Sequence, residues 1–452
     1  MIAKHLLYFP ICKTRGEKVK QYLPELERTQ WYSTPELKEY QWKKLMIAID
    51  HAYQNVPYYR YKFDEIGLSP SDITSYDNLL GIPVLTKEDI RSRSGELRNE
   101  NLRGRLSKRR TSGSMGEPLT FFKGRIATGF MDAVMYRDYR WYKVDIGHRQ
   151  ARCWGMPIDK RGYLRERIKD AVMNRVRLSA FDLNEQSFHA YLNRLRSFNP
   201  GYLYGYAQTV FRLAQFVDEN RIDLSHLDLQ VVITTGEMLY DHQRDLIQSV
   251  FQCKVADEYG STETGIIAMQ CPEGGMHIMA DNILVEFVRQ GEHVRAGEVG
   301  EIVVTELNSF SVPLIRYQIG DLGRFAEGTC SCGRGLPLME GIEGRADDFI
   351  VCPDGKMVDA SILAYIVKKL PKDAVTQFRI IQKSVDELLV QLVVTNGLKQ
   401  QIGKYIKHKL QGSLGKDMKI SFEYVDQIPV EKSGKLRCFI SEICANQKPS
   451  GE

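Results

Sequence analysis

Apolar residues recur along this chain at two different periods. From Trp42 to Tyr59, WKKLMIAIDHAYQNVPYY spaces them near the helical repeat until Pro57, which predicts an amphipathic helix that the proline ends. From Val231 to Thr235 the run VVITT is continuous and β-branched and opens into Gly236. That predicts a buried strand ending in a turn. A helical pattern, DHQRDLIQSVFQ, and a second short apolar run, KVADEYG, follow it. Strand, loop, helix and strand in this order predict an α/β sheet with ligand groups at its strand ends.

Further on, 282–288 and 301–307 read as antiparallel strands of a smaller β unit, separated by the turn-rich RQGEHVRAGEVG. Beyond Gly344 the pattern changes again. Residues 348–358 read as a hairpin around PDGK, 360–370 as a helix, TQFRII and ELLVQLVVT as strands, 398–410 as a helix and KISFEYV as a strand. The predicted class is α/β: a large N-terminal domain over 1–344, a junction at 345–347 and a small α+β C-terminal domain over 348–452.

Composition narrows the function classes. A chain of 452 residues has room for two or more domains, and 43% hydrophobic with 26% charged residues excludes a disordered or fibrous chain. The net charge of +5 is mild for this length and gives no reason to expect nucleic acid. No apolar run approaches the roughly 18 residues that span a bilayer, and LLYFPI is too short for a signal segment. A cytoplasmic protein is expected, and nine cysteines, an odd number, fit reduced thiols.

The candidate chemistry lies in six short segments: TSGSMGEPL at 111–119, TTGEM at 234–238, DEYGSTE at 257–263, RYQIGD at 316–321, GRADD at 344–348 and EKSGKLR at 431–437. The first offers backbone N–H groups and hydroxyls to a polyanion but lacks the lysine ending of a P-loop. In this order and spacing the set resembles the adenylate-forming superfamily of acyl-CoA ligases, luciferases and peptide-synthetase adenylation domains. The short chain, VPLIRYQIGD and CSCGRGLP resemble its phenylacetate-CoA ligase branch and the CapK-type capsular-polysaccharide proteins.

That resemblance implies ATP and Mg²⁺ as cofactors and CoA as acceptor. Thr111, Ser112, Gly113, Ser114 and Gly116 would wrap the β and γ phosphates, with Met115 and Leu119 departing from the usual hydroxyl and lysine. Gly236 and Glu237 would lie on the adenine side, Tyr259 against the base, with Gly260 and Ser261 in the same loop. Thr262 would contact the α-phosphate, and Glu263 would hold Mg²⁺, a cation that prefers oxygen ligands. Asp321 would accept both ribose hydroxyls, and Arg345 would add a charged donor. Lys435, beside Gly434, would stabilise charge as pyrophosphate leaves. Residues 348–452 would then be a mobile lid turning about Asp347 between two half-reactions.

Cys271, His277, Cys330 and Cys332 offer three thiols and an imidazole, a tetrahedral set for structural Zn²⁺, although C-x-C is a weaker spacing signal than C-x-x-C. Met131, Met135, Tyr136, Trp141, Trp154 and Tyr206 supply the apolar surface expected for the acid pocket. Basic side chains cluster at Arg103, Arg105, Lys108, Arg109 and Arg110, and again at Arg161, Arg165, Arg167, Lys169, Arg175 and Arg177. Beyond a solvated face, these would attract CoA phosphates or a lipid-linked anionic substrate at a membrane surface. Three functions follow: an acyl- or aryl-CoA ligase, a CapK-like ligase passing the acyl group to an amine or sugar without CoA, or a non-catalytic nucleotide- or polymer-binding assembly factor. The acid and the oligomeric state are not set by these residues.

Overall fold

The computed structural model describes residues 8–102, 104–111, 119–155, 160–180, 183–345, 349–354, 357–360, 362–367, 369–371, 374–394, 399–429 and 436–443. Among them, two compact units separate. The first comprises 1–239, 243–319 and 323–342; the second comprises 240–242, 320–322 and 343–452.

A 12-stranded sheet dominates the first unit. The strands Arg175–Ser179, Gln150–Trp154, Tyr202–Tyr206, Val231–Thr235 and Lys254–Ser261 run parallel in that spatial order. Beyond Lys254–Ser261 the sheet turns antiparallel, through Gly265–Gln270 and Met276–Ile278. Ile283–Arg289 and Gly300–Glu306 pair antiparallel near the far edge of this sheet.

The predicted alternation has a direct physical outcome. Ala151, Cys153, Leu203, Val232 and Val255 enter a core with the helices Glu185–Phe198, Ala207–Glu219 and Asp241–Phe251. Residues one step along, such as Tyr202, Ile233 and Ala256, join the opposite core with the helix Arg125–Arg140. Val231–Thr235 is buried throughout, as a strand between two helical layers must be.

Near the N-terminus, Pro57 does not merely end a helix. The helix Thr34–Asn55, started by a Ser33/Glu36 capping box, stops before it, and Pro57 opens the next helix, Pro57–Glu65. A first-turn proline forfeits no helical hydrogen bond, which is why the chain can restart there.

The second unit follows the predicted order. Phe349–Val351 and Met357–Asp359 form the hairpin, and Ile362–Val367 and Lys399–Leu414 are helices. The strands Lys419–Tyr424, Glu387–Val394, Val375–Ser384 and Phe439–Ser441 make a four-stranded sheet. Its own apolar core, centred on Ile380, Val390, Leu392, Ile406 and Leu410, makes it a separate packing unit.

One buried ionic knot joins distant parts of the first unit. Arg137 Nη1 lies 2.8 Å from Asp281 Oδ2, and its Nε lies 2.6 Å from Asp138 Oδ1, all three side chains fully buried. Thr29 donates to the same Asp281 oxygen at 2.8 Å. Burial pushes Asp138 up to about 7, against the opposing pull of Arg137. Removing one member of such a set strands the others without solvent, which costs more than the set contributes intact. Arg137→Met is therefore expected to destabilise the first unit by about 3–5 kcal/mol, read as a lowered urea midpoint; a shift under about 1 kcal/mol would show the knot to be dispensable.

Candidate active site

Three parallel strands bring the central motifs to one edge of the sheet. Tyr206 is in register with Thr235, and Thr235 with Glu258, so Gly236 leaves the sheet beside Tyr259, which stays paired with Ala268 of the next strand. Strand ends of this kind are where α/β sheets bind ligands. Gly236 has φ +75°, a left-handed turn that costs glycine little. Glu237 accepts the backbone N–H of Gln208 at 2.9 Å, in the first turn of the helix Ala207–Glu219. Its carboxylate thus ties the loop after Thr235 to a helix N-terminus, where negative charge is favoured.

The next turn is built by exclusion of side chains. The ladder between Lys254–Ser261 and Gly265–Gln270 shifts register between Tyr259 and Gly260, a bulge that re-aims the strand. A Cβ on Gly260 would stand 2.4 Å from the Gly265 carbonyl oxygen. Only glycine permits that approach. Within the turn, Ser261 Oγ accepts the Thr264 N–H at 3.1 Å and meets Thr264 Oγ1 at 2.9 Å. Thr262 is left exposed at the tip.

Glu263 points the other way, with only 6% of its surface exposed. Tyr317 Oη donates to Glu263 Oε1 at 2.9 Å, which fixes the carboxylate and leaves Oε2 without a hydrogen bond among the described residues. A fixed carboxylate with a spare oxygen suits Mg²⁺, which takes one or two protein carboxylates and fills its other positions with phosphate oxygens and water. Nearby, Lys123 ends the strand Thr120–Lys123 and pairs with Glu306, both buried. Burial pulls the Lys123 ammonium down, and the Glu306 and Glu263 charges oppose that pull.

Thr111 and Leu119 close the neck of the glycine-rich loop. Thr111 N–H donates to the Leu119 carbonyl, and Leu119 N–H to Thr111 Oγ1, each at 2.9 Å. Leu119 is buried, which accounts for an apolar residue there. Ser112, Gly113, Ser114 and Gly116 lie outside the described residues, as do Asp347 and Lys435. Asp321 stands four residues after Tyr317 on the strand Tyr317–Phe325, and Arg345 ends the strand Leu338–Arg345. Arg316 of the same motif is structural: it is buried, at φ +49°, with its Nε 3.2 Å from both Glu286 oxygens.

Behind the strand ends the sheet carries an aromatic and charged face. Glu258 accepts the hydroxyls of Tyr139 at 2.9 Å and Tyr204 at 3.0 Å, and burial raises its proton affinity. Trp154 stacks on Tyr206 with ring centroids 4.2 Å apart. Met131 packs beside Gly265 at the turn. Trp141 does not join this surface. It follows the helix Arg125–Arg140, its Nε1 donates to Gln30 Oε1 at 2.8 Å, and its ring lies 5.7 Å from that of His277. Trp141 caps the C-terminal end of that helix, whereas Met131 lies near its middle and faces the Gly265 turn.

Trp141 instead borders the cysteine cluster. One donor atom from each of Cys271, His277, Cys330 and Cys332 lies within 4.8 Å of the others. Cys271 Sγ is 3.5 Å from Cys330 Sγ, and Cys332 Sγ is 3.2 Å from His277 Nε2. Tetrahedral zinc with bonds of about 2.3 Å would space its sulfurs by about 3.8 Å. His277 Nδ1 donates to the Leu336 carbonyl at 3.0 Å, which leaves Nε2 as the free lone pair, the usual outer partner of a metal-bound imidazole. Burial pulls His277 down to about 4, so it stays neutral. A Cβ on Gly275 would meet Cys330 Sγ at 2.7 Å; its absence makes room for the cluster. Strand Gly265–Gln270 separates Cys271 from the Glu263 turn, so this cluster is not part of the nucleotide edge.

Comparisons with known proteins agree with this geometry. A family model described as the CapK C-terminal domain matches residues 350–442. Protein CapK of Staphylococcus aureus is 25% identical over 94% of this chain and 93% of its own length. The phenylacetate-coenzyme A ligase of Pseudomonas putida is 24% identical over 93% of this chain and 95% of its own. Among solved structures, 2-hydroxyisobutyryl-CoA ligase in complex with R3-HIB-AMP superposes with a TM-score of 0.73 at 20% identity, covering 92% of this chain and 91% of that one. Over nearly its whole length the chain is therefore similar to CapK and to phenylacetate-CoA ligases, and its fold is that of the adenylate-forming CoA ligases.

Proposed function

We propose that this protein uses Mg-ATP to activate a carboxylic acid as an acyl-adenylate, with release of pyrophosphate, and transfers the acyl group to CoA. The observation that carries this reading is the Tyr317-held Glu263 in a glycine-forced turn, at the strand edge that also presents Gly236 and Tyr259. An acid oxygen attacks the α-phosphorus as the bond to the bridging oxygen breaks, so the protein's task is positioning and charge stabilisation. Tyr259 would stack on adenine beside Gly236 and Glu237, exposed Thr262 would meet the α-phosphate, and Asp321 with Arg345 would take the ribose. The loop at 111–116 would hold the β and γ phosphates, and Mg²⁺ on Glu263 would neutralise phosphate charge.

The second unit supplies the remaining part. Lys435 on a lid spanning 348–452, turning about Asp347 against a body of 1–344, would stabilise the departing charge and then withdraw for thioester formation. Two kinds of relative bear on the acceptor: those named phenylacetate-coenzyme A ligase support CoA, and the CapK match supports a second reading, transfer to an amine or sugar without CoA. That second reading gains from the helix Lys160–Val172, which exposes Leu164 (62%) and Ile168 (59%) one turn apart, with Arg165, Arg167 and Lys169 also exposed. Such a face suits an anionic membrane carrying a lipid-linked acceptor. No helix among the described residues is long and apolar enough to cross a membrane. Dependence on ATP would place the reaction in the cytoplasm.

Pyrophosphate release from Mg-ATP, measured across aryl, fatty, amino and uronic acids with and without CoA, tests the proposal. A hit that yields AMP and a thioester only with CoA supports the first reading; a hit indifferent to CoA but dependent on an amine or sugar supports the second. Silence across acids with ATP bound would favour a non-catalytic assembly factor. With an active acid, Lys435→Ala is expected to slow adenylation by about 10³-fold while ATP affinity changes by less than about threefold, because its contact strengthens in the transition state. Equal loss of both would contradict that role.

The cysteine cluster is proposed to hold one structural zinc ion, since four protein ligands leave no open position for catalysis. Elemental analysis of protein purified without chelator is expected to find about one zinc per chain, falling to near none in a Cys271→Ser/Cys330→Ser double variant. Zinc-free wild-type protein of normal stability would refute the site.

A further inference from the structure

Arg152 forms no ion pair among the described residues, and the acidic charge coupled to it is that of Glu258. It lies on the strand Gln150–Trp154, in register with Tyr204 of the neighbouring strand. Its guanidinium carbon sits 4.6 Å from the Trp154 ring centroid and 5.0 Å from that of Tyr204. Its Nε is shielded from solvent with no hydrogen-bond partner, and it forms no ion pair with any described residue.

Its neighbours are satisfied differently. Arg177, in register with Arg152 on the edge strand, takes Asp170 at 2.8 Å and Glu166 at 2.9 Å. Arg175 reaches the same Asp170 at 3.5 Å. The carboxylate on Arg152's own face, Glu258, has one oxygen on Tyr139 and the other on Tyr204. Burial raises its proton affinity, opposed by those hydroxyls and by the Arg152 charge, with which it makes no ion pair.

An arginine keeps its charge and offers five N–H donors at any accessible pH. Leaving the shielded Nε unmatched is costly unless a ligand supplies an acceptor, and the half-exposed terminal nitrogens are open to the same ligand. Here the two rings hold the guanidinium plane by cation–π contact and leave its N–H edge as the binding surface. The position is informative as well. Trp154 and Tyr206 stand at the level where Gly236 leaves the sheet beside Tyr259, and Arg152 is two residues, about 6.6 Å, further in.

We infer that Arg152 is a specificity-determining residue of the acid pocket, and that the acid activated carries a second carboxylate which this arginine binds. The inference rests on the adenylation reading for the meaning of the pocket, and names the class of acid it takes. One carboxylate reacts at the Thr262 end while the other pairs, two oxygens against the guanidinium fork, with Arg152.

Its test compares matched ligands that differ only in the second charge. The diacids succinate through suberate and 4-carboxyphenylacetate are each set against their monomethyl ester. Binding is followed by calorimetry in the presence of a non-hydrolysable ATP analogue and Mg²⁺, and turnover by pyrophosphate release. At least one diacid is expected to bind wild-type protein roughly 30-fold or more tighter than its own ester. Arg152→Met should bring that pair to within about twofold by weakening the diacid alone, and Arg152→Lys should restore part of the difference, since a point charge lacks the fork. Diacids that never outbind their esters in the wild type would overturn the inference, as would a variant that weakens both members equally. A diacid preference without pyrophosphate release would uphold Arg152 and refute adenylation; adenylation of neutral acids alone would do the reverse.

Discussion

The close approach of two backbones at Gly260 and Gly265 is the constraint from which the proposed nucleotide edge takes its shape. With 2.4 Å between a would-be Cβ and a carbonyl oxygen, the chain has one way to turn from the parallel half of the sheet into the antiparallel half. That turn leaves Tyr259 at the strand edge, Thr262 at an exposed tip and Glu263 facing inward against Tyr317. An alanine at either glycine would push the turn apart or force an L-residue into the left-handed region at Gly265, φ +81°. Three side chains with different proposed tasks depend on the same few backbone atoms.

Among the described residues, most buried charge is handled by matching. Arg137 has Asp138 and Asp281, Lys123 has Glu306, Arg316 has Glu286, and Arg177 has Asp170 and Glu166. These pairs are costly to desolvate and costlier to break, so they hold the first unit in one arrangement rather than adding much to its stability. Against that pattern, Arg152 faces aromatic rings where the others face carboxylates. The zinc-type cluster follows the same logic by other means: three thiols and a neutral imidazole gathered around a space that Gly275 keeps clear.

What could be read along the chain was whatever depends on neighbours in sequence. VVITT followed by glycine reads as a buried strand and its turn because both properties are local, and the helix Lys399–Leu414 reads from its period. The four metal-ligand candidates could be named but not joined, since Cys271 and Cys330 meet across 59 residues. Tyr317 had a motif around it but no visible task, because its bond to Glu263 depends on the order of strands in the sheet. Lys123 and Glu306, 183 residues apart, carried no signal at all. Trp141 fits any pocket by its apolar character, and its place beside His277 follows from contacts with residues distant in sequence, Gln30 and Arg334 among them. The segments 112–118, 346–348 and 430–435 lie outside the described residues, so the phosphate loop, the hinge and Lys435 rest on motif resemblance.

The central claim is that the Glu263 turn is a magnesium–nucleotide site. Its most direct test needs no knowledge of the acid: ATP affinity measured by calorimetry with and without Mg²⁺, in the wild type and in Glu263→Gln. The account predicts that Mg²⁺ tightens ATP binding to the wild type by about tenfold or more and does little for the variant, which loses the charge but keeps the shape. Nucleotide affinity that responds equally to Mg²⁺ in both proteins would contradict it.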